Sequence, residues 1–458
     1  MREPGVVGLS AVLLLGAVGC TVAPANAERV SQGTQAATGD SYDDEFSECA
    51  YITQCSSTAA NASTASIPNS APGYGALNDW RIGNGEADSV DPGTSAIGAI
   101  GLLYGYARLS AAGRSNGTLD ANAKTALSGY FWSWVRNPQN QVDGSSGGVT
   151  RIGFATTESF DTGGNRTAIG TGSAAATAEV LIAMRKYCQL SPNGDGGNYQ
   201  SQEYSLAHQM ADYINANVNS WTLDRSYAVA AFLGFSHWAM AVGDSGTASY
   251  YAGQANTLSG ELAAAQDQGA WGNYYDYLDG NDDGVYNGGV DQTGFAPYEL
   301  DARDPGEAYA KKLADWWNYG QAYNGAALTV QSGPYAGGVH QWTPQSGTDN
   351  QVYPGSAFQL ADAEWKIARA TGNYNDEYGS AWSHYDFAMT PVGSGSGAGC
   401  WVTAASEDPS GFVGGFIDWV DTGSGNRPAD WQRFVDTSAY MIVATEELVF
   451  SSLVDFSQ

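Results

Sequence analysis

From about Ala76 onward, apolar residues recur at three- and four-residue steps in blocks of roughly 12–20 residues, the spacing of amphipathic helices. Thr94 to Ala112 carries Ile97, Ile100, Leu103, Tyr104 and Leu109 at such steps, with Asp91-Pro92 as its start signal. Leu119 to Val135 begins at Asp120 and stops at Asn137-Pro138, and Thr171 to Leu190 carries Val180, Leu181, Met184 and Tyr187. The same reading predicts helices near 201–217, 225–242, 247–265, 306–318, 355–371, 375–388 and 430–450. Small residues such as Ala174-Ala175-Ala176 and Ala263-Ala264-Ala265 allow helix backbones to approach closely. Strand patterns are short and confined to loops, at Gly148 to Phe154 and Gly411 to Val420.

Consecutive pairs of such helices predict a closed ring of helical hairpins or an α-solenoid. The segments have no fixed repeat length, which speaks against the solenoid. Connections also alternate. Short joints (Gly113 to Gly117, Gly372 to Tyr374) alternate with long stretches at Asn78–Gly93, Asp143–Gly170, Gly269–Pro305, Gly333–Gly355 and Val392–Arg427. A ring of hairpins gathers its long loops on one face, and long loops are commonly functional, so that face is the expected site.

Upstream of the helices the texture differs. Residues 28–72 are rich in Ser, Thr, Ala, Asn and Asp, which predicts a flexible polar linker ahead of a domain at 73–458. Residues 1–27 read as an export signal: Arg2, an apolar stretch from Val6 to Val18, then Ala25-Asn26-Ala27 as a small-x-small cleavage site. Gly19-Cys20 offers a second processing route, in which Cys20 carries a lipid anchor. Either route predicts an extracellular or cell-surface protein. In that oxidising setting a Cys49–Cys55 bridge is expected to close a small loop. The apolar stretch is too short for a transmembrane helix.

Charge narrows the partners. The chain has 19 Lys+Arg against 48 Asp+Glu, a formal net charge of −29, which argues against nucleic-acid binding and against docking on anionic membranes. The acids are spread along the whole length, as expected of a solvating, salt-adapted surface.

The segment Ala361-Asp362-Ala363-Glu364-Trp365-Lys366-Ile367-Ala368-Arg369-Ala370-Thr371-Gly372-Asn373-Tyr374, followed by a helix through Trp382 and Phe387, resembles the inner–outer hairpin of the six-hairpin glycosidases. Thr94–Ser110, with Leu102-Leu103-Tyr104 and Tyr106-Ala107-Arg108-Leu109, resembles another copy. The resemblance implies an all-α (α/α)6 toroid with minor β-structure in its loops. Terpene-cyclase toroids share the hairpin rhythm, but no helix here carries their Asp-rich signature.

Such a toroid hydrolyses a glycosidic bond with one carboxylic acid that protonates the leaving oxygen and a second carboxylate acting as base or nucleophile. The resemblance directs attention to Asp79-Trp80-Arg81-Ile82-Gly83-Asn84-Gly85-Glu86, just before the first clear helix. Glu86 is the first candidate acid, Asp79 the second, and Asp349 the candidate base. Glu158, Asp161 and Asp418 are further loop carboxylates. Trp80, Arg81, Trp271, Tyr275 and Trp342 are the candidate carbohydrate contacts, since aromatic rings in polar loops offer stacking faces. Asp279-Gly280-Asn281-Asp282-Asp283-Gly284 matches the start of a calcium loop, in which Asp279, Asn281 and Asp283 supply alternate oxygens. Position 290 is Val rather than the closing Glu, so Asp291 is the candidate closing ligand for a structural Ca²⁺. The leading expectation is thus an exported glycoside hydrolase of a polysaccharide or oligosaccharide. A polysaccharide lyase with a Tyr or His base near Arg81, Arg151 or Arg166 is the second, and a non-catalytic glycan-binding surface protein the third.

Overall fold

The computed structural model describes residues 41–58, 67–79, 88–265, 292–319, 328–340, 350–372, 377–394, 398–407, 413–428 and 433–458. Its helices alternate along the chain between an outer and an inner layer. The outer–inner pairs are α1 (Ser41–Cys55) and α2 (Pro92–Ala111), then α3 (Gly117–Gly129) and α4 (Ala174–Leu190). After the short α5 (Gly196–Gln202) come α6 (Tyr204–Asn217) and α7 (Thr222–Ala241), then α8 (Ser245–Ala265) and α9 (Gln292–Glu299). The last pairs are α10 (Ala308–Tyr319) with α11 (Pro354–Thr371), and α12 (Glu377–Ala388) with α13 (Val435–Leu448).

Packing closes the inner layer. Among the described residues, α2 packs on α4, α4 on α7, α7 on α9, α9 on α11, α11 on α13, and α13 back on α2. The outer helices lie over these seams: α1 on α2 and α13, α6 on α4 and α7, α8 on α7, α12 on α11 and α13. The result is an all-α (α/α)6 toroid, as the sequence predicts. The α2–α13 seam is tight because α2 is glycine-rich. A Cβ on Gly101 would stand 2.5 Å from both Cα and Cβ of Ala439, closer than real atoms approach.

The C-terminal ends of the inner helices lead into short joints, such as Ala112 to Asn116 after α2 and Val242 to Asp244 after α7. Apart from α7, which follows α6 after four residues, their N-terminal ends receive the long connections. Short strands brace these: β1 (Asp88–Val90), β2 (Val142–Asp143), β3 (Ile152–Ala155), β4 (Glu158–Phe160), β5 (Arg166–Ile169), β6 (Gly172–Ser173), β7 (Gln351–Val352) and β8 (Val420–Asp421). They form antiparallel sheets in the orders β1-β4-β5, β2-β3-β6 and β7-β8. One face of the ring, the mouth, is therefore built by the inner-helix N-termini.

Three sequence expectations need correction. Ser41–Cys55 lies within the expected polar linker, yet it is a helix with Cys49, Tyr51, Ile52 and Cys55 buried. Its acidic, serine-rich composition concealed a narrow apolar stripe, and Asp44, Glu45 and Glu48 are themselves buried: Glu48 accepts from Trp401 Nε1 at 2.9 Å and from Gly415 N. Because Cys49 and Cys55 are six residues apart on one helix, their side chains leave it in different directions and no disulfide joins them. Finally, the long stretch Gly269–Pro305 contains inner helix α9, hidden from the sequence reading by Gly294 and by Pro297 inside it.

Candidate active site

Four inner helices deliver a carboxyl group to the mouth. Asp91 is the N-cap of α2 and accepts from the backbone N–H groups of Gly93 (2.8 Å) and Thr94 (3.2 Å), with Pro92 in the first turn. Glu179 stands in the second turn of α4, Asp224 in the first turn of α7, and Asp436 in the first turn of α13. Gly93 makes room between the first two. A Cβ there would collide with Glu179 Oε2 and lie 3.2 Å from Asp91 Oδ1, so both carboxylates press on the same point of the α2 backbone.

These acids are deep without being sealed. Glu179, Asp91 and Asp436 are half-buried, while Asp224 is buried. Burial raises the Glu179 pKa well above the usual carboxylate range, and the neighbouring charges of Asp91, Asp224 and Asp436 add to it against a hydrogen bond from Tyr227. Asp436 is pushed up to about 7, first by burial and then by Asp418 and Asp91, against the backbone N–H of Thr437. Burial lifts Asp224 to about 6 although Asn219 Nδ2 donates to it at 2.7 Å. Asp91 is also raised by burial, with its two N–H donors opposing. Among the described residues, no Lys or Arg forms a salt bridge with any of these four acids.

Below the mouth the axis is filled. Buried Tyr227 and Tyr440 lie beside Glu179 and, beneath it, Glu299. Gln359 Nε2 donates to Glu299 at 3.2 Å, and Lys366 Nζ bonds the Glu299 carbonyl and reaches Asp301 at 3.2 Å and Asp362 at 3.4 Å. Phe456 N closes the far end on Asp301 Oδ2 at 3.1 Å. The floor cation Lys366 is thereby matched by floor acids, whereas the four mouth acids have no salt bridge to Lys or Arg among the described residues. A shallow depression lined by Gly197, Tyr204, Val242 and Asp244 lies at the C-terminal end of α7, away from these acids.

Of the leading catalytic, substrate-binding and metal candidates in the sequence, Asp79 lies among the described residues. It is buried one hydrogen bond behind the acids: Asp79 Oδ1 accepts from Asp91 N at 2.6 Å, and its carbonyl accepts from Val435 N at 2.7 Å. Asp79 thus ties the first turns of α2 and α13 together. Glu86, Asp349, Trp80, Arg81, Trp271, Tyr275, Trp342, Asp279, Asn281, Asp283 and Asp291 lie outside the described residues. Asp418 acts on Asp436 at the mouth, Glu158 is buried in β4, and Asp161 caps an exposed turn by accepting from Gly163 N and Asn165 N. Trp401 is buried, stacked on Phe416 and bonded to Glu48.

Sequence reasoning passed over Asp91, Glu179, Asp224 and Asp436 because acids near helix N-termini have a ready explanation in capping and the helix dipole. A usable signal existed in Glu179. It sits in Ala174-Ala175-Ala176-Thr177-Ala178-Glu179-Val180-Leu181-Ile182, a run otherwise devoid of charge.

No protein-family model matches the chain, and no curated protein matches it in sequence. Solved structures do match. A D-mannose isomerase superposes with a TM-score of 0.52 at 12% identity, covering 91% of this chain and 99% of that one. A glucoamylase from Saccharomycopsis fibuligera gives 0.53 at 12% identity over 89% of this chain and 94% of its own. The fold is that of the six-hairpin glycosidases. An endoglucanase from the termite Nasutitermes takasagoensis shares the six-hairpin fold over 91% of this chain and 100% of its own, at 13% identity and a TM-score of 0.50. The six-hairpin neighbours thus include both glycoside hydrolases and sugar-isomerising enzymes, and the likeness is one of architecture.

Proposed function

We propose that the chain is a glycoside hydrolase acting on a polysaccharide or oligosaccharide at the toroid mouth. One observation carries the reading: Glu179 is deep in the ring, still touches solvent, and is crowded by carboxylates with no balancing cation among the described residues. A carboxyl so placed keeps its proton near neutral pH, as a general acid for the leaving oxygen requires. Asp436, from the opposite side of α2, is the partner that takes a proton from water or attacks the sugar carbon. Asp91, fixed by two N–H groups, holds negative charge between them and stabilises the charge that develops on the sugar ring.

The lyase alternative gains no support from Tyr227 and Tyr440. A tyrosine base needs a lowered pKa, and burial raises both well above the usual value. Export, a lipid on Cys20, calcium at Asp279–Asp291, and loop contributions from Glu86, Asp349 and the candidate aromatic residues stay part of the proposal. Among the described residues, no helix is long and apolar enough to cross a membrane. The test is incubation with a panel of polysaccharides in high salt, following reducing ends and unsaturated products. Reducing ends without an unsaturated chromophore are expected. Elimination products, or isomerised sugars without chain cleavage, would overturn the hydrolase reading.

A further inference from the structure

The sheet at the mouth ends in an open edge. Strands β3 and β4 pair with β5 and β6 as one long hairpin. Between the named strands, Thr156 N donates to the Thr171 carbonyl at 2.8 Å and Gly170 N to the Thr157 carbonyl at 2.7 Å. Across the ladder, Val90, the residue before Asp91, stands opposite Glu158, and Glu158 stands opposite Ile169. Strand β5 therefore lies two strand spacings, about 10 Å, from the strand that leads into Asp91. From β5 the chain continues through β6 into α4, which carries Glu179 in its second turn. The edge is thus tied on both sides to elements that bear mouth acids.

All four residues of β5 are exposed, Ile169 to 39%, as are Thr171 and Gly172 beyond it. It is the last strand of its sheet, and among the described residues no strand pairs with its outer side. Such an edge presents a row of N–H donors and carbonyl acceptors. An added polypeptide strand suits it poorly, because β5 is only four residues long and its register skips Thr167, a bulge that bends the ladder. A polyanion suits it no better. No charge occurs between Arg166 and Glu179, Arg166 donates to the Gln139 carbonyl, and the mouth acids repel negative groups. Sugar hydroxyls both donate and accept, and the C–H faces of sugar rings match the exposed side chains of Ala168 and Ile169.

We propose that the outer edge of β5 is a binding strip for a neutral glycan chain that extends from the mouth, and hence that the substrate is an uncharged polysaccharide rather than a polyanionic one. This rests on the mouth being the substrate site of the proposed hydrolase. A polymer reaches from the carboxyls to the strip, whereas a single sugar held at the carboxyls does not.

The test is calorimetric titration of the full chain at high salt with four neutral polymers and two polyanions. The neutral ones are soluble starch, hydroxyethyl cellulose, arabinoxylan and galactomannan, and the polyanions are polygalacturonate and alginate. At least one neutral polymer is expected to bind, and more tightly than either polyanion. Thr167→Asp and Ile169→Asp should each weaken that binding about tenfold or more at an unchanged melting temperature, because the new carboxylate must lose water to meet a sugar. Asn256→Asp, on the exposed side of outer helix α8, is the control and should leave it unaltered. Should an Asp variant fail to fold, Ile169→Thr keeps the β-branched shape and should weaken binding in the same direction. Binding unchanged by the edge variants, tighter binding of a polyanion, or no neutral polymer bound overturns the strip. A dimer that the edge variants abolish while glycan binding persists also overturns it and assigns the edge to a second copy. Release of reducing ends from a neutral polymer with the same KM in wild type and edge variants overturns the strip and leaves the hydrolase reading intact. Glycan binding that the edge variants weaken, without cleavage of any polymer, supports the strip and overturns the hydrolase reading instead.

Discussion

Two glycines on α2 should respond to the same substitution in opposite ways. An added Cβ at Gly101 meets the Cα and Cβ of Ala439 at 2.5 Å, on a helix that packs along the full α2–α13 seam. Backbone cannot swing aside, so the seam must open. Overpacking of this kind costs about 1–3 kcal/mol, less the few tenths that alanine gains over glycine in a helix. At Gly93 the added atom meets the far end of Glu179, a side chain that can rotate away. Stability should change by less than about 1 kcal/mol there, because alanine is acceptable in a first helical turn. The displaced carboxyl, however, leaves its place beside Asp91. Urea denaturation of Gly101→Ala and Gly93→Ala, read beside reducing-end release, separates the two effects. Gly101→Ala should lose stability, and Gly93→Ala should lose activity by roughly tenfold or more with its midpoint nearly unchanged. Equal loss of stability in both, or an unaltered Gly101→Ala midpoint, would refute the packing argument.

Stability should fall as pH rises. Burial lifts Asp224 to about 6, Asp436 to about 7, and Glu158 and Glu299 to about 8. Each binds its proton more tightly folded than unfolded, so the contribution is complete below the ordinary carboxylate range and is lost as pH climbs to about 8. Melting temperatures at fixed salt should therefore decline from about pH 5 to about pH 8; a steady rise would contradict the burial of these groups. Asp79→Asn keeps an oxygen for the Asp91 N–H and should be nearly silent, whereas Asp79→Ala should cost about 1–3 kcal/mol in denaturant titration. A large loss of turnover in a stable Asp79→Asn would restore a chemical role for Asp79. If Asp279, Asn281, Asp283 and Asp291 hold calcium, chelation should lower the melting temperature and added calcium restore it.

The helical ring was legible because its signals are local. Apolar spacing, capping acids and alternating joint lengths each follow from a few neighbouring residues, and they locate α2, α4, α7, α11 and α13 within a few residues of their observed ends. The exceptions have physical causes. Helix α1 buries charged residues against partners more than 300 positions away, as in Glu48 to Trp401 and Ser438. Helix α9 is short and contains Pro297, so tertiary packing rather than propensity sustains it. The site was less legible for a related reason. Its carboxyls come from four helices spread between residues 91 and 436, and each has an ordinary local explanation as a cap or as an acid in the first two turns of a helix. Their shared environment exists only when the ring closes.

The proposed hydrolysis depends on these carboxyls being brought together by ring closure. Reducing-end kinetics of Glu179→Gln and Asp436→Asn on whichever polysaccharide the wild type cleaves test it most directly. Each variant should melt near the wild-type temperature and lose about 10²–10⁴-fold in kcat, the scale of a missing general acid or base. Full turnover in both, with activity abolished instead by Glu86→Gln and Asp349→Asn, would contradict it and move the chemistry to the long loops.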